Sequence, residues 1–119
     1  MKRVWMLAAL IALSASPAHA EGDAAHGQQI YESRCIACHS PDANRVGPMH
    51  RGVFGRKAGS LPDYTYSKAL KGTDFVWNDE TLDKWLTNPQ AFVPGQKMNF
   101  KVTKPEDRAD VIAYLKSLK

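Results

Sequence analysis

Near the end of the chain, Val111, Tyr114, Leu115 and Leu118 recur on one face of a 3.6-residue period. Thr103 or Lys104 precedes Pro105 at a first helical position, where a missing N–H removes no intrahelical bond. This predicts a C-terminal amphipathic helix. Asp23 stands as the cap of an earlier helix through Ala24, Gln28, Ile30 and Tyr31 toward Cys35. Gly27 interrupts it at a cost of about 1 kcal/mol relative to alanine, either as a tolerated defect or because another helix crosses there. A short chain with a helix at each end packs one on the other, and Gly27 against Tyr114 is the expected contact.

Between these ends the pattern is shorter. Leu82, Trp85 and Leu86 share a face of a helix capped by Asn78, starting at Asp79 and stopped at Asn88-Pro89. A short helix is expected over Ser67 to Lys71. From Ser40 to Leu61, Gly47-Pro48 and Gly52, Gly55 and Gly59 break any long period, which predicts an ordered loop, because twenty flexible residues are unusual in so small a domain. Phe75-Val76-Trp77 is the one β-like patch, and at three residues it predicts no strand. The expected class is all-α.

At the start, Lys2 and Arg3 precede an apolar run from Val4 to about Ala15, followed by Pro17 and Ala18-His19-Ala20. This reads as a cleavable secretory signal over residues 1–20, cut before Glu21. The run is too short for a comfortable membrane span, and nothing later approaches 18 apolar residues. Residues 21–119 then form a single small domain, expected to be soluble. The 119-residue chain carries 16 Lys and Arg against 12 Asp and Glu; loss of Lys2 and Arg3 leaves 14 − 12, a charge of about +2. That is too mild for nucleic-acid binding.

The candidate chemistry lies in Cys35-Ile36-Ala37-Cys38-His39, a C-x-x-C-H run. On a helical turn, Cys35 and Cys38 share one face, where both sulfurs reach the two vinyl groups of a porphyrin edge, and His39 follows on the turn facing the iron. Covalent attachment explains the thiols, and axial ligation through a neutral ring nitrogen explains the histidine. A redox dithiol or half a zinc site uses the same C-x-x-C spacing. Zinc needs further ligands, and after residue 39 the chain offers His50 and no cysteine. A redox dithiol needs a βαβ setting that this pattern lacks.

Two methionines follow the leader, Met49 and Met98. Methionine usually fills a core. Met98 sits in Val93-Pro94-Gly95-Gln96-Lys97-Met98-Asn99-Phe100, a Pro-Gly turn able to hold one side chain rigidly, and is distant enough from His39 to approach the other haem face. The residues alone keep an open iron and His50 as competitors for the sixth position.

The mature chain resembles the mitochondrial-type class I cytochromes c, as a bacterial periplasmic member. The resemblance rests on Cys35-Ile36-Ala37-Cys38-His39, Gly47-Pro48, Gly52-Val53-Phe54-Gly55-Arg56-Lys57, Tyr64-Thr65-Tyr66-Ser67, Trp77, Asn88-Pro89, Pro94-Gly95-Gln96-Lys97-Met98 and Ile112-Ala113-Tyr114-Leu115-Lys116. It implies the small all-α cytochrome c fold, with terminal helices packed crosswise and short helices and loops wrapping one covalently bound haem c. It implies Met98 as sixth iron ligand, opposite His39. The Pro48 carbonyl would accept the His39 ring N–H and fix its tautomer. Arg56, Tyr66 and Trp77 would hydrogen-bond the propionates or their waters. The implied function is single-electron transfer rather than enzyme catalysis, in the periplasm, by a monomer.

Departures from the family pattern bear on the haem surroundings. Trp85 stands where a tyrosine is usual, Gln96 where threonine is common, and Leu70 where many relatives have asparagine. His50 replaces an apolar haem-packing residue and is expected at the rim rather than as a spare ligand, since a buried neutral histidine needs a partner. Arg34, Arg45, Lys97, Lys101 and Lys104 occupy the positions of the family's docking ring, although Gln29 and Gln90 stand where lysines are common. These cations would steer redox partners with acidic surfaces, such as a membrane cytochrome complex, terminal oxidase, reaction centre or periplasmic dehydrogenase. A peroxidase-like haem enzyme, a ligand-switching sensor using Lys97 or His50, and an anchored complex subunit are the rival readings.

Overall fold

The computed structural model describes residues 11–12 and 21–119, so nearly all of the expected leader lies outside the described residues. Five helices follow in order: α1 (Ala24–Arg34), α2 (Lys68–Lys71), α3 (Asp79–Thr87), α4 (Pro89–Phe92) and α5 (Pro105–Ser117). Among the described residues the only β-type pairing is an isolated antiparallel bridge between Lys57 and Val76. None of the described helices is long and apolar enough to cross a membrane.

The frame is the crossing of α1 and α5. A Cβ built on Gly27 would lie 1.9 Å from the carbonyl oxygen of Asp110 and 3.0 Å from Tyr114 Cβ. Glycine is therefore there for close approach. The tightest contact is the Asp110 backbone, one turn before the expected Tyr114, because the helices meet main chain to main chain. Gly22 repeats the device outside α1, its absent Cβ falling 2.1 Å from the Ala109 carbonyl. Ile30, Tyr31, Val111, Ile112 and Leu115 are buried around this junction.

Polar groups pin the same crossing. Asp23 Oδ1 accepts from the N–H groups of Ala25 (3.0 Å) and His26 (3.2 Å), as an N-cap should. The Asp23 N–H in turn donates to Asp110 Oδ1 at 2.7 Å, and Asp110 Oδ2 lies 2.6 Å from His26 Nδ1. Hydrogen bonding to Asp110 raises the His26 pKa above its ordinary value, and the same bond lowers that of Asp110. Arg34 approaches Asp107 at 3.7 Å further along the pair.

Asn78 and Thr81 form a reciprocal cap at the start of α3, the Asn78 side chain accepting from Thr81 N (2.9 Å) and Thr81 Oγ1 from Asn78 N (2.8 Å). Leu82, Trp85 and Leu86 face inward. Arg108 of α5 ties the two helices, donating to Asp83 Oδ1 (2.7 Å) and to the Val102 carbonyl (2.9 Å). Helix α4 is not among the expected elements, because Asn88-Pro89 carries the signal of a helix stop. Asn88 does both jobs: its N–H closes α3 on the Lys84 carbonyl, and its side chain caps α4 by accepting from Ala91 N at 3.2 Å.

The loop from residue 40 to 61 is ordered by backbone hydrogen bonds. Gly52 and Gly55 adopt φ values of +76° and +90°, and their N–H groups donate to the carbonyls of Leu118 and Trp77, each at 2.7 Å. The Phe75-Val76-Trp77 patch pairs with this loop through Ala58 N to Phe75 O (3.0 Å) and Trp77 N to Arg56 O (2.9 Å). The loop is thereby fixed to the C-terminal end and to residue 77.

Alanine at residue 27 restores helix propensity but forces the helices apart. Gly27→Ala is expected to lower unfolding stability by about 1–3 kcal/mol, measured by denaturant titration. The His26–Asp110 contact gives a pH signature. The raised His26 pKa contributes stability below about pH 6.5 that is lost as pH rises through the raised value. The lowered Asp110 pKa contributes stability above about pH 4 that is lost as pH falls through the lowered value. The stability gap between wild type and His26→Gln should therefore be wider at about pH 5.5 than at about pH 9, read from thermal unfolding at the two pH values.

Candidate cofactor site

Cys35 closes α1, its N–H donating to the Tyr31 carbonyl at 2.9 Å. The chain then winds through one more turn, with Cys38 N and His39 N both donating to the Cys35 carbonyl at 3.2 and 2.9 Å. The spacing thus places Cys35 and Cys38 on the wall of one cavity. They are not joined to each other by a disulfide; Cys35 is half-buried and Cys38 exposed.

His39 leaves this turn with its ring tightly located. Nδ1 lies 2.9 Å from the Pro48 carbonyl, which accepts, so the proton sits on Nδ1 and Nε2 keeps its lone pair. Burial lowers the His39 pKa, only partly opposed by the Pro48 bond, and keeps the ring neutral. A Cβ on Gly47 would fall 2.1 Å from His39 Cε1. Glycine there gives the ring its slot, while the Gly47 N–H returns to the Cys38 carbonyl at 2.8 Å.

His50 is not the rim residue the sequence suggested. It is half-buried, lines the cavity and stacks on His39 with ring centroids 4.1 Å apart and planes 25° apart. The partner that sequence reading could not name is Tyr31, whose hydroxyl lies 2.8 Å from His50 Nδ1. Burial, followed by the proximity of His39, holds the His50 pKa well below its ordinary value.

Met98 reaches the same cavity from the loop after α4. Gln96, only 4% exposed, grips the Met98 backbone at both ends: its Oε1 accepts the Met98 N–H and its Nε2 donates to the Met98 carbonyl at 2.7 Å. Gln90 braces the turn, accepting from Gly95 N (3.0 Å) and donating to the Gln96 carbonyl (3.3 Å). These two glutamines, noted in sequence only as departures, make the Met98 loop rigid by an amide clamp.

The remaining predicted haem neighbours also line the cavity: Pro48, Arg56, Tyr66 and Trp77. Arg56 Nη2 donates to the Met49 carbonyl at 2.9 Å, and burial lowers its pKa. The Tyr66 hydroxyl accepts from Leu61 N at 3.2 Å. Trp77 is buried and meets Trp85 edge to face, with centroids 5.3 Å apart. Trp85 thus fills the tyrosine position with packing rather than a hydroxyl network.

The cavity measures about 660 Å³, within the range of about 300–1,000 Å³ that holds small molecules and cofactors. Its walls are apolar for the most part, completed by Leu70, Leu82, Leu86 and Val111. Onto them open two thiols, an imidazole with a free Nε2, a thioether and a guanidinium. This donor set fits a haem fixed through two sulfurs, with nitrogen and sulfur available to its iron.

Arg34 and Lys97 also border the cavity, and Lys101 and Lys104 are exposed. Arg45 is committed elsewhere: its guanidinium donates to the Ile36 carbonyl, and to that of His39 at 3.4 Å, which braces the C-x-x-C-H turn. Val46 and Phe100, both cavity-lining and exposed, make an apolar rim among these cations.

A family model described as "Cytochrome c" matches residues 24–119. The chain is similar to a cytochrome c of Euglena viridis, 48% identical over 101 residues, covering 82% of this chain and 99% of that protein. It is 47% identical over 117 residues to a cytochrome c2 of Rhodomicrobium vannielii, covering 95% and 92% respectively. Among solved structures, cytochrome cH from Methylobacterium extorquens superposes with a TM-score of 0.77 at 43% identity, covering 81% of this chain and 99% of that one. Identity at this level over nearly the whole described fold places the chain in the cytochrome c family, whose members carry one covalently attached haem c and act as electron carriers rather than enzymes.

Proposed function

We propose that this protein is a soluble, exported monohaem carrier that shuttles single electrons between periplasmic or membrane redox partners. In this reading residues 1–20 are a cleaved leader and residues 21–119 the carrier. Cys35 and Cys38 are the covalent attachment points, and His39 and Met98 are the axial ligands. The observation that carries the reading is the convergence of these four side chains on one apolar cavity, with His39 Nδ1 already engaged by Pro48.

When bound, the haem supplies a one-electron ferric/ferrous couple in a low-dielectric setting. The residues supply constancy. Pro48 and Gly47 hold the His39 ring with Nε2 free for the metal. The Gln96 clamp holds the Met98 backbone, so Met98 and His39 would both hold the iron and leave no place for a substrate oxygen. The soft thioether favours ferrous iron and raises the potential. Arg56, Tyr66 and Trp77 line the cavity and would hold the propionates, with the Arg56 guanidinium offsetting their buried negative charge.

Electron transfer needs only that a partner reach the exposed edge. Cys38, Val46 and Phe100 line the same cavity and are exposed, so this rim is the natural point of contact. Arg34, Lys97, Lys101 and Lys104 would steer an acidic surface toward it, while Arg45 contributes charge from a fixed position on the turn. The apolar rim excludes water, and the cations keep the encounter fast and brief.

The ferric protein is expected to show a weak sulfur-to-iron charge-transfer band, lost in Met98→Ala. That variant should also bind carbon monoxide in the ferrous state, where wild type resists it. A wild type that lacks the band and reacts readily with peroxide would overturn the carrier reading. In stopped-flow measurements with an acidic redox partner, Lys97→Glu combined with Lys101→Glu should lower the second-order rate constant about tenfold at low ionic strength. The difference should shrink as salt approaches about 1 M, where the Debye length is about 3 Å.

A further inference from the structure

Two polar side chains stand where an apolar contact would suffice. Tyr31 is 1% exposed, its ring packs against Tyr114 with centroids 5.2 Å apart, and its hydroxyl lies 2.8 Å from His50 Nδ1. His50 in turn stacks on His39 at 4.1 Å. Within the described residues His50 Nδ1 is the one hydrogen-bond partner of the Tyr31 hydroxyl. A buried hydroxyl must place its proton, so Tyr31 donates and His50 Nδ1 accepts. That fixes the plane of the His50 ring, since rotation about its last side-chain bond would break the contact.

His39 is thereby restrained at three places: by the Pro48 carbonyl at Nδ1, by Gly47 against the ring, and by the His50 ring stacked on it. The first two fix its tautomer and its slot. The Pro48 bond already resists rotation of the imidazole about its last side-chain bond, and the stack adds a second restraint on the same motion by covering a ring face. Tyr31 lies on α1 and His50 on the loop after Pro48, so the pair also joins the attachment helix to the loop that carries the Pro48 carbonyl.

We propose that Tyr31 and His50 form a positioning pair for the proposed ligand His39, in which the Tyr31 hydroxyl locks His50 and the locked His50 ring, together with the Pro48 bond, sets the plane of the His39 imidazole. The pair rests on the His39/Met98 reading above, since ring orientation matters only if Nε2 meets the iron. Neither residue touches substrate or exchanges a proton in this role. Apolar packing alone would fill the space, whereas the hydrogen bond adds a defined angle.

The test compares haem-loaded wild type, Tyr31→Phe, His50→Leu and the double variant by frozen-solution electron paramagnetic resonance of the ferric state, alongside thermal unfolding. The principal g values of low-spin ferric haem respond to the orientation of the axial imidazole plane. A merely structural contact would lower the unfolding temperature and leave them in place. Both single variants should shift or broaden the low-spin signal, and Tyr31→Phe should add nothing once His50 is leucine, because the hydroxyl acts through that ring. Unchanged g values in both single variants would overturn the proposal, whatever happens to stability. A Tyr31→Phe shift of full size in the His50→Leu background would overturn it as well.

If His50→Leu does not fold, His50→Phe keeps an aromatic ring beside His39 while removing Nδ1, and the same shift and the same loss of the Tyr31 effect are expected. A wild-type spectrum without a low-spin histidine–methionine signature would overturn the ligation reading, and this role with it, before any variant is compared.

Discussion

The fold depends on two helix backbones being allowed to touch. Residues 21–119 surround a site of about 660 Å³ whose lining would pack against the haem rather than side chain to side chain across it. The frame must therefore be closed elsewhere. Gly27 and Gly22 let α1 and the chain before it sit directly on the backbone at Asp110 and Ala109. The penalty of glycine within a helix is offset there by dispersion contacts and by the Asp23–Asp110–His26 bonds along the same seam. Because Cys35 caps α1, fixing that crossing also fixes where the C-x-x-C-H turn begins.

From that anchor the site is assembled by loops whose order comes from backbone hydrogen bonds rather than from regular structure. The loop after His39 is held to the Leu118 carbonyl at one point and to residue 77 at others. These ties carry Gly47, Pro48 and His50 to the same imidazole. On the Met98 side, Asn88 ends one helix and starts the next, and Gln90 and Gln96 then hold the turn that presents the thioether. Both loops reach rigidity by the same physics: each polar group that faces inward finds a partner, so each loop has one low-energy arrangement.

The amide clamp at Gln96 and the tyrosine–histidine contact illustrate how a family's site tolerates local change. At Gln96, where the family resemblance leads one to expect threonine, a longer side chain bonds to the Met98 backbone on both sides. Trp85, where the resemblance leads one to expect tyrosine, brings a larger ring without a hydroxyl and packs edge to face on Trp77. Each substitution preserves a rigid, dry wall while altering which polar groups are near it. That is the kind of variation expected to tune a redox couple without changing its ligands.

Much of this was determined locally by the sequence. The caps Asp23 and Asn78, the proline at the start of α5, the C-x-x-C-H turn and the Gly-Pro pair act over a few residues, where bond geometry and hydrogen-bond reach decide the outcome. The Met98 turn was readable for the same reason, as was the family resemblance carried by these motifs. Tertiary structure alone decided which residues meet. The expected contact of Gly27 with Tyr114 is present, but nothing near Gly27 in the chain says that the Asp110 backbone lies closer still. Tyr31 and His50 are separated by 19 positions, and neither residue has a local signal for the other. His50 looked like a rim residue because its hydrogen-bond partner lies on another element, and the energy of a buried polar group depends on contacts that only the folded chain makes.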